Sequence, residues 1–221
     1  MDAGALYRMA ETELGEGDRD DAIRTLERLV ISFGDWDRIT DARLLLADTY
    51  FEKGEFITSR AEYQRFLDRY VGHPQSARAA LGECRSLHGL TPEPQRDQGY
   101  TVDAVTICRN VVIDYAGTPE SAQAAEITDD LRLTMAEKEY MNADFYFRRK
   151  MWFSAIIYYN FVLEYYPETE FAPQALLRIC RANQDPIVDD PEAASEARER
   201  LLREYPDSEA AAEIGANGSG C

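Results

Sequence analysis

Five helix-forming runs along this chain each close on an aromatic residue with Gly or Pro close behind it: Phe33, Tyr70, Tyr115, Tyr166 and Tyr205. Repetition of this kind constrains the fold more tightly than composition does. A short helical unit cannot bury its own apolar face and must stack on a copy of itself.

The aromatics are spaced 37, 45, 51 and 39 residues apart, somewhat above the roughly 34 of a tetratricopeptide repeat. The expected fold is all-α, a superhelical solenoid of about five tetratricopeptide-like helix pairs. Two features take up the excess length: a loop from His88 to Gly99 containing Pro92 and Pro94, and a lengthened first helix of the fourth pair, from about Glu120 to Arg148, with no Pro or Gly to break it. A division is expected in the Pro-containing loop. Residues 1–99 then hold repeats 1 to 3A with the insert, 100–205 hold repeats 3B to 5, and 206–221 form a disordered tail ending in Cys221.

Small residues set the register. Ala10, Ala47, Gly82, Ala143 and Cys180 recur at one place in the first helices, and Ala22, Ser59, Ala104, Ala155 and Ala194 at one place in the second. Small side chains there let helix axes approach within the 8–10 Å of close ridge-and-groove packing. Gly17, Gly54 and Gly89 are expected to cap their first helices. Arg198 stands where the other second helices carry Leu26, Tyr63, Cys108 and Tyr159, which predicts a solvent-facing fifth pair that caps the stack.

The net charge of −17 opposes binding to phosphate backbones and anionic headgroups, so nucleic acid is not an expected partner. No apolar run reaches the roughly 18 residues of a membrane span. The first residues, Met1 to Leu6, show neither the basic region nor the apolar stretch of a secretory signal. Cys84, Cys108, Cys180 and Cys221 lack CxxC spacing, and with only His73 and His88 as histidines no zinc site is expected. Cys84 and Cys108 fall on the paired helices of the third unit and read as two buried thiols, with a bridge as the alternative in an oxidising compartment.

No GxSxG, HExxH, GxxxxGK[ST] or GxGxxG is present, which leaves no motif for catalysis or for a nucleotide cofactor. The cluster from Gly17 to Asp21 lacks the Gly and distal Glu of an EF-hand loop and reads as the N-terminal cap of the following helix. Binding is the remaining kind of work. The residue after the small packing position is acidic in four units: Glu11, Asp48, Glu83 and Asp144. Each is turned about 100° from the seam, toward the groove that stacked first helices line. Tyr7 with Leu14, Leu44 with Phe51, and Tyr140 with Phe147 flank three of these acids at helical spacing. They either line the groove, where they suit a peptide, or pack against neighbouring helices. The run Tyr158, Tyr159, Phe161, Tyr165, Tyr166 covers more than one helical face, so part of it is expected at the surface, with Tyr158, Phe161 and Tyr165 as contact residues.

Two segments carry a resemblance. Arg96-Asp97-Gln98 leads into Thr101-Val102-Asp103-Ala104, and Leu131-Arg132-Leu133-Thr134-Met135-Ala136-Glu137-Lys138-Glu139-Tyr140 leads into Ala143-Asp144-Phe145-Tyr146-Phe147-Arg148-Arg149. From about Ala5 to Tyr205 the chain resembles the BamD-type family, the tetratricopeptide lipoproteins of the outer-membrane β-barrel assembly machinery. The resemblance implies a non-catalytic scaffold at the periplasmic face of the outer membrane, without cofactor or metal. It further implies a lipid anchor on an N-terminal Cys that this chain does not carry. Implied partners are unfolded outer-membrane protein precursors, the periplasmic domains of the barrel-forming subunit, and other assembly lipoproteins.

The implied precursor groove corresponds to Tyr7, Glu11, Leu44, Asp48, Phe51 and Glu83. The implied docking region runs along the helix from Phe153 to Tyr166, with Asp144, Phe147, Arg148, Tyr158, Phe161 and Tyr165 as its contact residues. Many relatives carry an arginine at the place of Tyr158, so the departure here favours an aromatic contact in place of a charged one, or a partner that has changed alongside. The alternative is a tetratricopeptide protein of the Tol-Pal envelope-constriction system, which usually begins with a coiled coil; no heptad segment occurs in this chain.

Overall fold

A computed structural model describes residues 1–216 and 221. Among them are eleven α-helices and no strand: α1 (Ala3–Glu16), α2 (Arg19–Ser32), α3 (Ile39–Glu52), α4 (Phe56–Arg69), α5 (Ser76–Gly89), α6 (Gly99–Asp114), α7 (Pro119–Arg148), α8 (Trp152–Tyr165), α9 (Phe171–Asn183), α10 (Pro191–Glu204) and α11 (Glu209–Ala216). Helices α1 to α10 form the five expected tetratricopeptide-type pairs. Among the described residues no helix is long and apolar enough to cross a membrane.

The five aromatics that mark the repeat occupy one structural position, the C-cap of α2, α4, α6, α8 and α10. Each donates its N–H to a carbonyl four residues back, on Leu29, Phe66, Val111, Val162 and Leu201, all buried. Each aromatic's own carbonyl then accepts the N–H three residues on, from Trp36, His73, Thr118, Thr169 and Ser208. This tight turn ties up carbonyls that a helix end would otherwise leave unpaired and starts the chain toward the next first helix. The aromatic ring, the cap and the turn are therefore one device, repeated.

The small residues lie where their spacing predicts. All ten are buried, and Gly82 is the most demanding of them: a Cβ built there would lie 2.3 Å from the Tyr63 ring, so the ring crosses directly over bare backbone. Ser59 knits the same seam, donating to the Ala47 carbonyl (2.9 Å) and meeting the Ser86 hydroxyl (3.1 Å). Gly17 turns the chain after α1 with φ +88°, as a C-terminal cap does. Gly89 corrects the expectation: it is the last residue of α5, and a Cβ there would sit 2.8 Å from the Phe56 ring. Close packing, not capping, explains it. Asp18 takes the N-cap position of α2 without a side-chain cap bond, and Asp20 pairs instead with Lys53 at 2.6 Å.

The chain packs as two units, Met1–Pro92 with Arg96–Leu131, and Glu93–Gln95 with Arg132–Cys221. The division falls inside α7, at Leu131 and Arg132, and not at residue 99. Within the amino-terminal unit Cys84 of α5 and Cys108 of α6 are joined as a disulfide, so the reading as two thiols is replaced by its alternative. In the carboxy-terminal unit Tyr159, Val162, Leu176, Leu201 and Ile214 share one core.

Ile214 belongs to α11, where residues 206–221 were expected to be disordered. Ala210, Ala211 and Ile214 are buried against the fifth pair, and Ser208 caps the helix by accepting the Ala211 N–H at 3.2 Å. Thus α11, rather than the fifth pair, closes the array, and Arg198 is half-buried instead of solvent-facing. Cys221 lies against Cys180, and its carbonyl accepts from Arg181 Nε at 3.1 Å. Residues 217–220 of the expected tail lie outside the described residues.

Candidate functional site

In the amino-terminal unit the six expected groove residues separate into lining and support. Leu44 is fully buried beside Tyr63 and Phe66. Tyr7 is also core: its ring packs on Trp36 at 5.4 Å, with the Arg38 guanidinium 4.4 Å from its centre. Helical spacing put both near the groove face, but the adjoining helix and the Trp36 turn cover them. Glu83 is buried on α5 against Arg60 (3.6 Å). Burial pushes its carboxyl pKa up, and the Arg60 charge only partly opposes that. Glu11 is exposed on α1.

Asp48 and Phe51 do meet at an opening, a cleft of about 310 Å³ that they share with Glu52, Tyr63, Arg78, Gly82 and Arg85. Asp48 accepts from the Tyr63 hydroxyl and from Arg78. Burial together with the Asp48 charge pushes the Tyr63 phenol far above its ordinary range, so it remains a neutral donor. The Arg85 guanidinium lies 4.7 Å from the centre of the Phe51 ring. The cleft thus offers both signs of charge and a ring face, a combination that suits a polypeptide segment. The two arginines escaped the sequence reading, although they stand one helical turn on either side of Gly82, the position that opens the cleft.

In the carboxy-terminal unit, α7 and α8 present a ladder of rings. Tyr158 stacks on Tyr146 (5.2 Å between centres, 10° between planes) and contacts Phe161 (6.3 Å), which stacks on Tyr165 (5.6 Å). Phe145 meets Tyr146 edge-on at 5.3 Å and carries the Arg149 guanidinium 3.6 Å above it. Phe161 is 43% exposed and Tyr165 50%, with Phe145, Phe153 and Ile157 also open to solvent.

Two hollows share Tyr146 and Tyr158. One, of about 390 Å³, is bounded by Gln95, Lys138 and Met141; the other, of about 560 Å³, by Glu139, Ile157 and Phe161. No Asp or Glu occurs from Phe145 to Leu163 in this otherwise acidic chain.

Of the expected docking residues, Tyr158, Phe161 and Tyr165 lie on this ladder. Phe147 does not: it packs against Trp152 (5.0 Å), Tyr159 (6.1 Å) and the Arg178 guanidinium (5.0 Å). Asp144 is only 8% exposed and accepts from Arg148 Nε at 2.5 Å. Tyr146 and Phe145 were missed, although the aromatic run from Phe145 to Phe147 signals them. Asp144 lies in the carboxy-terminal unit and the other three acids in the amino-terminal one, and Glu83 and Asp144 are buried. The acids therefore do not act as four exposed carboxylates. Among the described residues no group of three or more His, Cys, Asp or Glu is arranged to hold a metal ion.

The family model described as YfiO, outer membrane lipoprotein, matches residues 1–199. An outer membrane protein assembly factor BamD from Caulobacter vibrioides is 24% identical over 180 residues, covering 80% of this chain and 58% of the relative. A putative BamD from Aquifex aeolicus is 24% identical over 168 residues, covering 75% of this chain and 55% of the relative. The chain thus spans a little over half the length of these curated relatives. Among solved structures, the TPR domain of P58(IPK) aligns with a TM-score of 0.48 and 17% identity over 95% of this chain and 53% of that one.

Proposed function

The chain belongs to the YfiO family of outer membrane lipoproteins, and from that premise we propose that it is a non-catalytic scaffold in the assembly of outer-membrane β-barrels. In this reading the cleft of the amino-terminal unit holds segments of unfolded precursors. The ring ladder of the carboxy-terminal unit docks on the periplasmic domains of the barrel-forming subunit, and other assembly lipoproteins join the same complex. The protein works at the periplasmic face of the outer membrane, held there by a lipid anchor.

The observation that carries the reading is the ladder itself. Five rings and Ile157 stand together on one helix pair, and four of the rings, Phe145, Tyr146, Tyr158 and Phe161, fall in a stretch free of Asp and Glu. The Cys84–Cys108 bridge supports an oxidising compartment. The family match favours this reading over the Tol-Pal alternative.

A pull-down from solubilised envelope with a Tyr158→Glu variant tests it. The half-buried ring should be replaced without unfolding the helix pair, which circular dichroism checks. Loss of the barrel-forming subunit from the eluate is expected. Recovery of that subunit at the wild-type level would remove the ladder from the contact.

A further inference from the structure

Tyr63 on α4 and Tyr159 on α8 hold equivalent places in their helix pairs. Each is matched by the acid that follows the small packing residue of the preceding helix, Asp48 and Asp144. In the amino-terminal unit this set is closed, because Asp48 accepts from both Tyr63 and Arg78. In the carboxy-terminal unit it is open. Tyr159 is fully buried and its hydroxyl has no hydrogen-bond partner, and the Nε of Arg178 is likewise buried without one. Asp144 and Arg178 both lie within electrostatic reach of Tyr159. Yet the Asp144 carboxylate is turned to Arg148, the last residue of α7, whose side chain is 79% exposed.

A buried unpaired donor is costly and rare in folded proteins. The i, i+4 pair that Asp144 makes instead joins a buried carboxylate to a guanidinium that lies largely in water, which screens the attraction and weakens the hold on Asp144. Turned from Arg148 toward Tyr159 and Arg178, which lie within its electrostatic reach, the Asp144 carboxylate would face two orphaned donors. Arg148 holds it back only while that guanidinium has no better acceptor.

We propose that Asp144 has two seats, and that an acceptor on a docking partner which takes Arg148 releases Asp144 to the Tyr159 hydroxyl and Arg178 Nε. The carboxy-terminal unit then closes the same Asp–Tyr–Arg set that Asp48 closes in the amino-terminal one. Docking would thereby tie the end of α7 to α8 and α9. The inference rests on the docking role of α7 and α8 only for what takes Arg148; the two seats are tested without any partner.

The test uses protein labelled with ¹³C at the tyrosine ζ-carbons, with Tyr159→Phe and Tyr63→Phe assigning the two resonances. In Arg148→Ala the Tyr159 signal should move toward that of Tyr63, and in Arg148→Ala with Asp144→Ala, which leaves no acceptor at that position, it should return. An unmoved signal in Arg148→Ala overturns the proposal. Stability gives a second reading: Tyr159→Phe should be neutral in the wild type but lower the folding constant about tenfold in Arg148→Ala. Equal effects in the two backgrounds also overturn it. Adding the periplasmic domains of the barrel-forming subunit to labelled wild type should reproduce the shift. A shift in the variant but none on adding those domains overturns the coupling to docking, and leaves the scaffold reading to its own pull-down.

Discussion

Replacing Gly82 by Ala separates the packing described above from generic helix behaviour, because the two predict opposite signs. In the interior of an ordinary helix, Gly→Ala stabilises by about 1 kcal/mol. Gly82 lies within α5, but its new methyl would fall 2.3 Å from the Tyr63 ring. Relieving that overlap costs about 1–3 kcal/mol as overpacking. Moving the ring also breaks the Tyr63–Asp48 hydrogen bond, and bonds to charged groups contribute about 1.5–3 kcal/mol. After the helix gain is subtracted, the net effect is a loss of about 1.5–5 kcal/mol. Urea unfolding followed by circular dichroism measures it. In a Tyr63→Ala background the ring that obstructs the methyl is gone, and the same substitution should turn stabilising. If Gly82→Ala stabilises the wild type, or costs the same in both backgrounds, the ring does not cross the seam as described.

Removing the Cys84–Cys108 bridge with Cys84→Ser and Cys108→Ser should cost about 3.5 kcal/mol on the chain-entropy estimate for a separation of 24 residues; unfolding of oxidised wild type against the double variant reads it. Glu83 supplies a pH prediction. Its folded pKa lies above the ordinary 4.5, so the folded state holds the proton more tightly than the unfolded one. Its contribution to stability is therefore least favourable above the folded pKa and improves as pH falls through that value toward 4.5. Glu83→Gln should remove that part of the pH profile, raising stability relative to wild type at neutral pH and converging with it in acid, as measured by thermal midpoints across pH.

Much of the fold was legible because its signals are local and repeated. The aromatic caps, the small seam residues and the long α7 each recur or persist in ways that chance does not imitate. Gly89 was misread because a capping glycine and a glycine under a ring look alike until Phe56 is in place. Helix α11 was passed over beside a Gly- and Ser-rich end, although Ser208 before Glu209-Ala210-Ala211-Ala212 is a capping signal.

The site was legible in part. Spacing along one helix identifies a face but not what covers it, so Asp48 and Phe51 line the cleft while Leu44 and Tyr7 are buried by neighbours. Tyr158, Phe161 and Tyr165 are expected near the surface because too many rings crowd α8 for all to be internal, and the three share one ladder there. The bridge between Cys84 and Cys108 could not be read from spacing, since pairing depends on how α5 and α6 face each other.

Site-specific photocrosslinking in cells tests most directly whether two separate surfaces do the binding. A photoreactive phenylalanine at Phe161 should capture the barrel-forming subunit, and one at Phe51 should capture outer-membrane precursors, with little exchange between them. Capture of precursors at Phe161 and of the barrel-forming subunit at Phe51, or of neither from both positions, would contradict the assignment.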